Sequence, residues 1–122
     1  MNTMKFSKAA VASAFSLGNF DAAYIYLTGE TIWNTPGEFR LTGKEEIQQH
    51  CQKVKTYFDN ITTDFQQLEI IENENNVVIT GKARFIKEGK CINQIASCDV
   101  YKFANDGTII SITSYCVSEK EL

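Results

Sequence analysis

One carboxylate stands on an otherwise apolar strand face in the last third of the chain. Residues 98–116 are typical of a β-hairpin closed by Asp106-Gly107, a dipeptide that tolerates the positive φ of a tight turn. An acid on such a face is costly unless something binds or uses it, so Asp99 is the first candidate for acid/base chemistry. With a two-residue loop and alternating side chains, the pairs sharing the face of Asp99 are Phe103–Ile110, Tyr101–Ile112, Asp99–Ser114 and Ser97–Cys116.

Two interpretations of Asp99 remain open at this stage. In one, it is a general acid/base whose pKa is raised by desolvation among Trp33, Tyr101 and Phe103. In the other, it is a structural carboxylate that shapes a pocket, because burial perturbs structural acids as well as catalytic ones. The hydroxyl groups expected to reach it are those of Ser97, Ser114 and Thr35.

Three further side chains are candidate site residues, and each also has a purely structural interpretation. Trp33, on a predicted strand face with Thr35, is suited either to stack on a flat ligand or to plug a small core. His50 is at the edge of a helical apolar stripe, where a solvated or capped histidine is favoured over a titrating partner for Asp99. Cys116 faces the inner side with no base beside it in sequence, so inert packing is expected.

The cysteine and histidine pattern predicts no metal site. The four cysteines form no CxxC pair, and the chain has one histidine. Cys51, Cys91, Cys98 and Cys116 are instead expected to be free thiols of a protein in the reducing cytoplasm.

Size and composition predict one domain over residues 1–122. A hydrophobic content of 43% supports a core without disulfides, and a net charge of −3 argues against nucleic acid as a partner. The alternating Lys82, Arg84 and Lys87 are interpreted as a solvated sheet face.

No run approaches the roughly 20 apolar residues that span a bilayer, so no membrane association is expected. The first 15 residues superficially suggest a signal peptide. However, a first helix of the domain is favoured because Phe6, Ala10, Ser13 or Ala14, and Leu17 recur at helical spacing.

The order of predicted elements indicates an α+β fold. A third helix opening at Thr42 carries an apolar stripe of Ile47, Cys51, Val54 and Phe58. Helices grouped before a meander of strands predict that the helices pack on one face of a mostly antiparallel sheet. The other predicted elements are helices at 4–17 and 20–27 and strands at 30–36, 39–41, 61–72, 77–88, 91–104 and 108–118.

These elements resemble the nuclear transport factor 2-like superfamily, and more narrowly its SnoaL-like and steroid-isomerase-like small bacterial members. The order and spacing of several short motifs over roughly 8–118 carry the resemblance. They are Leu17-Gly18-Asn19-Phe20-Asp21, Ile32-Trp33-Asn34-Thr35-Pro36-Gly37, Leu41-Thr42-Gly43-Lys44-Glu45-Glu46-Ile47, Cys98-Asp99-Val100-Tyr101-Lys102-Phe103, Asp106-Gly107 and Ile109-Ile110-Ser111-Ile112.

The resemblance implies a cone-shaped, cystatin-like domain with three helices wrapped by a strongly bent sheet and a pocket at its open end. It also implies a homodimer through the outer sheet face. The fold hosts isomerases, cyclases, dehydratases, hydrolases and non-catalytic binding proteins, so it does not decide the function.

Residue by residue, the resemblance to steroid isomerases is partial. Their catalytic base, just before the proline of the first strand, corresponds to Thr35, and their first-helix tyrosine to Val11. The second oxyanion-hole acid, in an Asp-x-aromatic-x-Phe pattern, corresponds to Asp99. SnoaL-like cyclases typically rely on one carboxylate in an apolar pocket, and Asp99 would suit that role.

The sequence therefore predicts a homodimer that binds a small, largely apolar organic molecule without a cofactor. In the catalytic version, Asp99 performs proton transfer of the isomerase, cyclase or dehydratase type. One alternative is a non-catalytic binding or interaction module. Another is a collapsed cone, in which large side chains fill the pocket and only the sheet face has a partner. The expected dimer face carries Cys98, Val100, Lys102, Ser111, Thr113, Tyr115 and Val117. The expected ligand contacts are Trp33, Thr35, Tyr101, Ile112, Ser114 and Cys116, with Asp99 as acid/base.

Overall fold

The computed structural model describes residues 7–119 and contains the predicted helices and strands in the predicted order. The start of the predicted first helix, residues 4–6, lies outside the described residues. The short second helix is a 3₁₀ helix rather than an α-helix. The elements are α1 (Lys8–Ser16), the 3₁₀ helix (Phe20–Tyr26), β1 (Ile32–Thr35), β2 (Phe39–Thr42), α2 (Lys44–Tyr57), β3 (Thr62–Glu72), β4 (Asn76–Lys87), β5 (Lys90–Phe103) and β6 (Ile109–Ser118).

Within this range the strands form one six-stranded sheet in the order β2-β1-β6-β5-β4-β3. β1 runs parallel to β6, and the other neighbours are antiparallel. Register shifts occur in the β3–β4 pair near Gln67, in the β4–β5 pair near Phe85 and in the β5–β6 pair near Lys102, and such bulges bend a strand and increase its twist. The sheet therefore curls around the helices, which confirms the predicted α+β fold.

The core lies between the helices and the concave face of the sheet. α1 contributes Val11, Ala12 and Phe15, and α2 contributes Ile47 and Cys51, all buried. Val54 packs partly against this core, and Phe58 lies at its open side. The facing strand residues are Val77, Ile79, Tyr101, Phe103, Ile109 and Ile112.

Local signals set the ends of α1. The Ser7 hydroxyl accepts a hydrogen bond from the Ala10 N–H at 3.2 Å, which satisfies one of the free donors of the first turn. Gly18 follows the helix with φ +91°, and the Asn19 N–H donates to the Ala14 carbonyl at 2.9 Å. The chain turns sharply there, so Ser16 faces the sheet while Leu17 is 52% exposed.

The closing hairpin differs from the prediction at its turn. The Ala104 N–H donates to the Thr108 carbonyl at 2.8 Å, and Gly107 has φ +89°, so the loop comprises residues 105–107 rather than Asp106-Gly107 alone. Phe103 consequently pairs with Ile109, and the predicted pairing of Phe103 with Ile110 is wrong.

A bulge in β6 then restores the predicted register. Ile110 is the extra residue and is 46% exposed, whereas Ile109 and Ile112 on either side are buried. Beyond the bulge, the predicted pairs of Tyr101 with Ile112, Asp99 with Ser114 and Ser97 with Cys116 are confirmed.

Candidate functional site

An open cavity of about 700 Å³ lies between the helices and the concave sheet face. This volume is in the range of pockets that hold small organic ligands. Tyr101 and Phe103 are packed in the core, 0% and 2% exposed, so they do not fill the cone as the collapsed alternative requires. Phe85 lines the cavity wall. The aromatic residues around the cavity are Phe15, Phe20, Trp33, Phe39, His50, Phe58, Phe65 and Phe85.

The end of α1 brings aromatic and polar groups to the floor of this cavity. The Phe15 ring makes edge contacts with Trp33 and Phe20, each at a centroid distance of 4.9 Å. Ser16, the next residue, turns its hydroxyl towards β5. Because Gly18 ends the helix immediately afterwards, these side chains reach the strand face without further helix between them.

Asp99 is partly buried and lines the cavity from β5. Its Oδ2 accepts a hydrogen bond from the Ser16 hydroxyl at 2.7 Å. Burial raises the pKa of this carboxyl, while hydrogen bonds from Ser16 and Ser114 act in the opposite direction. Burial dominates, so the protonated form is more accessible than for an ordinary aspartate.

Behind Ser16, the Tyr101 hydroxyl orients the hydrogen bond to Asp99. The two hydroxyl oxygens of Ser16 and Tyr101 are 2.6 Å apart. Since Ser16 has one hydroxyl hydrogen and gives it to Asp99, Tyr101 donates to Ser16. Burial raises the pKa of Tyr101 well above its usual value, so this phenol remains a donor.

A second chain of donors reaches Asp99 from the other side. The Trp33 indole Nε1–H donates to the Ser114 hydroxyl oxygen at 3.0 Å. Ser114, the strand partner of Asp99, in turn hydrogen-bonds the carboxyl and lowers its pKa. Trp33 therefore packs against Phe15 and also fixes the orientation of a carboxyl donor.

His50 lies in the cavity wall rather than in solvent. Its ring is 4.4 Å from that of Phe39 and 5.3 Å from that of Trp33, measured between centroids. Burial lowers the pKa of His50, and the nearby Lys53 lowers it further. The His50 side chain is half-buried between these rings, so it is not fully solvated, and part of it remains accessible.

The predicted ligand contacts divide into two groups. Trp33, Thr35, Ser114 and Cys116 line the cavity together with Asp99. The prediction that Tyr101 and Ile112 contact a ligand directly is wrong, because both are 0% exposed and lie beneath the lining residues. The inner strand face is covered at these two positions by the helices, and the sequence pattern does not show how far that cover extends.

The thiol of Cys116 is a neutral group of the cavity wall. Burial raises its pKa to about 11, and the negative charges of Asp99 and Glu38 contribute to the shift. A thiol held in this form is a poor nucleophile. The raised pKa is consistent with the inert thiol expected for Cys116, but the residue is exposed and lines the open cavity instead of being packed inside the protein.

Two residues of the site were absent from the predicted contacts. Ser16 was missed because a serine near a helix end carries no signal for the strand that it will contact. Phe15 was missed because α1 buries Val11, Ala12 and Phe15 instead of the stripe predicted from Phe6, Ala10 and Leu17. Phe6 lies outside the described residues.

Neither a metal cluster nor a membrane helix is present in the part of the chain that the structure describes. Over residues 7–119, no group of three or more His, Cys, Asp or Glu side chains is placed to hold a metal ion. No helix in the same range is long and apolar enough to cross a bilayer.

Comparison with known proteins identifies related structures. The sequence matches no protein-family model and no curated protein. A nuclear transport factor 2-like protein of unknown function from Cytophaga hutchinsonii is 36% identical, with a TM-score of 0.77 over 88% of this chain and 94% of that one.

Two more distant structures share the fold. A protein proposed to be a SnoaL-like polyketide cyclase, from Shewanella denitrificans, is 14% identical with a TM-score of 0.70, over 90% of each chain. An epoxide hydrolase of M. tuberculosis is 15% identical with a TM-score of 0.63, over 91% of this chain and 84% of that one. The chain belongs to the nuclear transport factor 2-like superfamily, as the identity to the Cytophaga protein shows.

Proposed function

We propose that this nuclear transport factor 2-like protein binds a small, largely apolar organic molecule in its cavity, with Asp99 as the polar contact. The observation that carries the proposal is one partly buried carboxyl at the floor of an aromatic cavity of about 700 Å³. Sites of this kind bind ligands by apolar burial and orient them by a few polar groups. Trp33 is 7% exposed and contributes a small part of the wall, and Thr35 and Ser114 supply hydroxyl groups.

The catalytic version of the proposal is cofactor-independent acid/base chemistry of the isomerase, cyclase or dehydratase type. Ser16 donates to Asp99, so it is not available as an acceptor for a carboxyl proton. Reversing the Ser16 donor would leave the fully buried Tyr101 hydroxyl without an acceptor. A proton on Asp99 therefore points away from Ser16, and because Asp99 lines the cavity, general-acid catalysis could use that proton there.

The alternative is a non-catalytic binding module, and Thr35 favours it. Steroid isomerases, which this chain resembles in part, carry their base at that position, and a threonine hydroxyl is no base near neutral pH. The cyclase and epoxide hydrolase among the related structures act on organic molecules, which is compatible with both versions.

Binding is tested by titrating the ¹⁵N-labelled protein with 2-tetralone, a neutral bicyclic ketone, and following amide shifts by NMR. We expect saturable shifts confined to cavity residues. Ala83 is buried and lines the cavity, so Ala83→Phe should abolish the titration, while Ala10→Phe on the exposed face of α1 should not. If Ala83→Phe does not fold, Ser97→Leu blocks the same wall. Shifts that persist in the blocked variant, or none in the wild type, would contradict the proposal.

The substitution Asp99→Asn distinguishes the catalytic version of the proposal from the non-catalytic binding module. The substitution keeps the size of the side chain and removes its titration. If Asp99 is an acid/base, proton transfer to a bound ketone is lost while the affinity for 2-tetralone is retained. If the protein only binds, both wild type and variant bind 2-tetralone and neither accelerates proton transfer.

We also propose that the protein is a homodimer through the outer sheet face and works in the cytoplasm as one domain. Support for the dimer is the exposure of large residues on that face, with Tyr115 at 50% and Val117 at 63%. These residues point away from the cavity, so such a dimer would leave the ligand site open.

A further inference from the structure

We propose that His50 is the proton acceptor of this cavity and works on the same ligand as Asp99. The inference rests on the proposed function and assigns it a base. His50 would touch the ligand directly, because its ring is part of the cavity lining.

The surroundings of His50 leave its two ring nitrogens available to hydrogen-bond a ligand. The ring packs at 4.4 Å from Phe39 and 5.3 Å from Trp33, between centroids. In residues 7–119 its imidazole nitrogens have no hydrogen-bond partner, although the side chain is partly buried. No side-chain nitrogen or oxygen in these residues is both buried and unpaired, so the imidazole nitrogens are accessible, and a ligand in the open cavity can bind them.

Trp33 places His50 and Asp99 at the same ligand surface. Its indole contacts the His50 ring edge-on, and its Nε1–H holds Ser114, which hydrogen-bonds Asp99. His50 therefore contacts the indole directly, Asp99 is linked to it through Ser114, and both side chains line the same cavity. A ligand bound beside Trp33 would lie against both groups.

The charges of the site favour a neutral imidazole. Burial and Lys53 both lower the pKa of His50, whereas burial raises the pKa of Asp99. The other charged groups lining the cavity are Glu38, Lys55 and Asp59, and Lys55 is paired with Asp21 of the 3₁₀ helix at 2.8 Å. An uncharged base and a protonatable acid are the combination that proton abstraction beside a carbonyl needs.

The proton-transfer step balances with these two groups. The lone pair of a His50 nitrogen takes a proton from the carbon next to a ligand carbonyl, and the electron pair of that C–H bond forms a C=C bond. The carbonyl π pair moves to oxygen, which takes the Asp99 proton. The products are an enol, an imidazolium and a carboxylate. When the imidazolium returns a proton to a carbon of the enol system, the enol O–H proton goes back to the Asp99 carboxylate and the carbonyl re-forms, so both groups are regenerated.

The assignment supplies the base that Thr35 does not provide. Thr35 and His50 both line the cavity, one from β1 and the other from α2, with Phe39 packed against His50. The base of this site is thus assigned to a helix residue that the strand pattern does not reveal.

The test measures by ¹H NMR how fast the C1 protons of 2-tetralone exchange with D₂O. The exchange rate in buffer without protein is subtracted. We expect the wild-type protein to accelerate exchange and His50→Gln to lower the protein-dependent rate about 100-fold or more, with 2-tetralone affinity retained. Lys53→Gln is the matched control on the same helix; it is exposed and outside the cavity lining, and it should keep the maximum rate.

The pH profile distinguishes a reacting histidine from a structural one. His50 is the single histidine, so its Cε1–H resonance reports its titration without ambiguity. One limb of the rate profile should coincide with that titration, and both should move to higher pH in Lys53→Gln because a positive charge is removed.

Each remaining outcome overturns a defined claim. Binding of 2-tetralone without acceleration, equal rates in wild type and His50→Gln, or a profile unrelated to the His50 resonance overturns the role of His50 and leaves ligand binding intact. Absence of 2-tetralone binding overturns the proposed function itself.

Discussion

Asp99 is the residue on which the contacts of the cavity floor converge. Two donor chains reach its carboxyl: Tyr101 acts through Ser16, and Trp33 acts through Ser114. Burial favours the protonated carboxyl, and the donors favour the ionised one. The balance between them sets how readily this acid gives up a proton.

Ser16→Ala should destabilise the protein and raise the pKa of Asp99 further. The Tyr101 hydroxyl is fully buried and would lose its acceptor, which costs about 1–3 kcal/mol of unfolding free energy. Chemical denaturation measures the loss, and a carboxyl ¹³C titration measures the pKa. In a Tyr101→Phe background the same substitution should cost clearly less; equal losses in both backgrounds would contradict the hydrogen-bond chain.

Asp99→Asn should raise the melting temperature by a few degrees at pH 7. The folded state has the higher pKa, so it holds the proton more tightly than the unfolded state, whose value is about 3.9. Stability therefore falls as pH rises from the unfolded to the folded pKa and stays reduced above it. The advantage of the variant should shrink as pH falls below this window.

Asp106→Asn is the control with the opposite sign. Hydrogen bonds from Thr108 lower the pKa of Asp106, so its stabilisation is present above the unfolded pKa and is lost as pH falls through the folded one. Thermal melts of both variants across pH measure the two trends. A pH-independent difference for Asp99→Asn would contradict the assigned burial.

At the scale of elements, strand and helix patterns predicted most of the architecture. Turn residues between the four long strands predicted their bounds closely, and β4 shows the alternating burial that a strand pattern indicates, whereas β3 has no buried residue. The bulge at Ile110 was not predictable, because Ile109, Ile110 and Ile112 are equally apolar and only three-dimensional packing selects which one is exposed. The buried face of α1 escaped prediction for the same reason.

Deletion of Ile110 tests the bulge. Removing the extra residue should leave Ser111 opposite Lys102 and Ile112 opposite Tyr101, so the variant should fold and still bind 2-tetralone. Deletion of Thr113 is the matched control. After this deletion, either the following residues of β6 point to the opposite face of the sheet or the preceding residues shift their register against β5. Circular dichroism and the amide titration compare the two; loss of fold in the Ile110 deletion would contradict the register described.

At the scale of the whole molecule, ligand binding is proposed for the cavity and dimer formation for the outer sheet face. The sequence singled out Asp99 as a carboxylate on an otherwise apolar strand face, and the family resemblance implied the pocket beside it. His50 was considered as a titrating partner for Asp99 but a solvated histidine was favoured, and Ser16 was not singled out, because each reaches the cavity from a different helix and no pattern along the chain links them. The fold as a whole brings these residues together.

The outer face is tested by Val117→Glu. If this face joins two copies, a charge at a residue that is 63% exposed in the single chain should convert a dimer into a monomer. Light scattering after size-exclusion chromatography measures the change. The 2-tetralone titration should remain as in the wild type, and a wild-type monomer would contradict the proposed dimer.

The central claim is that the cavity holds an apolar ligand against Asp99, and a high-resolution crystal structure with 2-tetralone tests it most directly. We predict density for the ketone against Trp33, with its oxygen within hydrogen-bonding distance of the Asp99 carboxyl. Density only on the outer sheet face, or a cavity closed by inward movement of its aromatic walls, would contradict the claim.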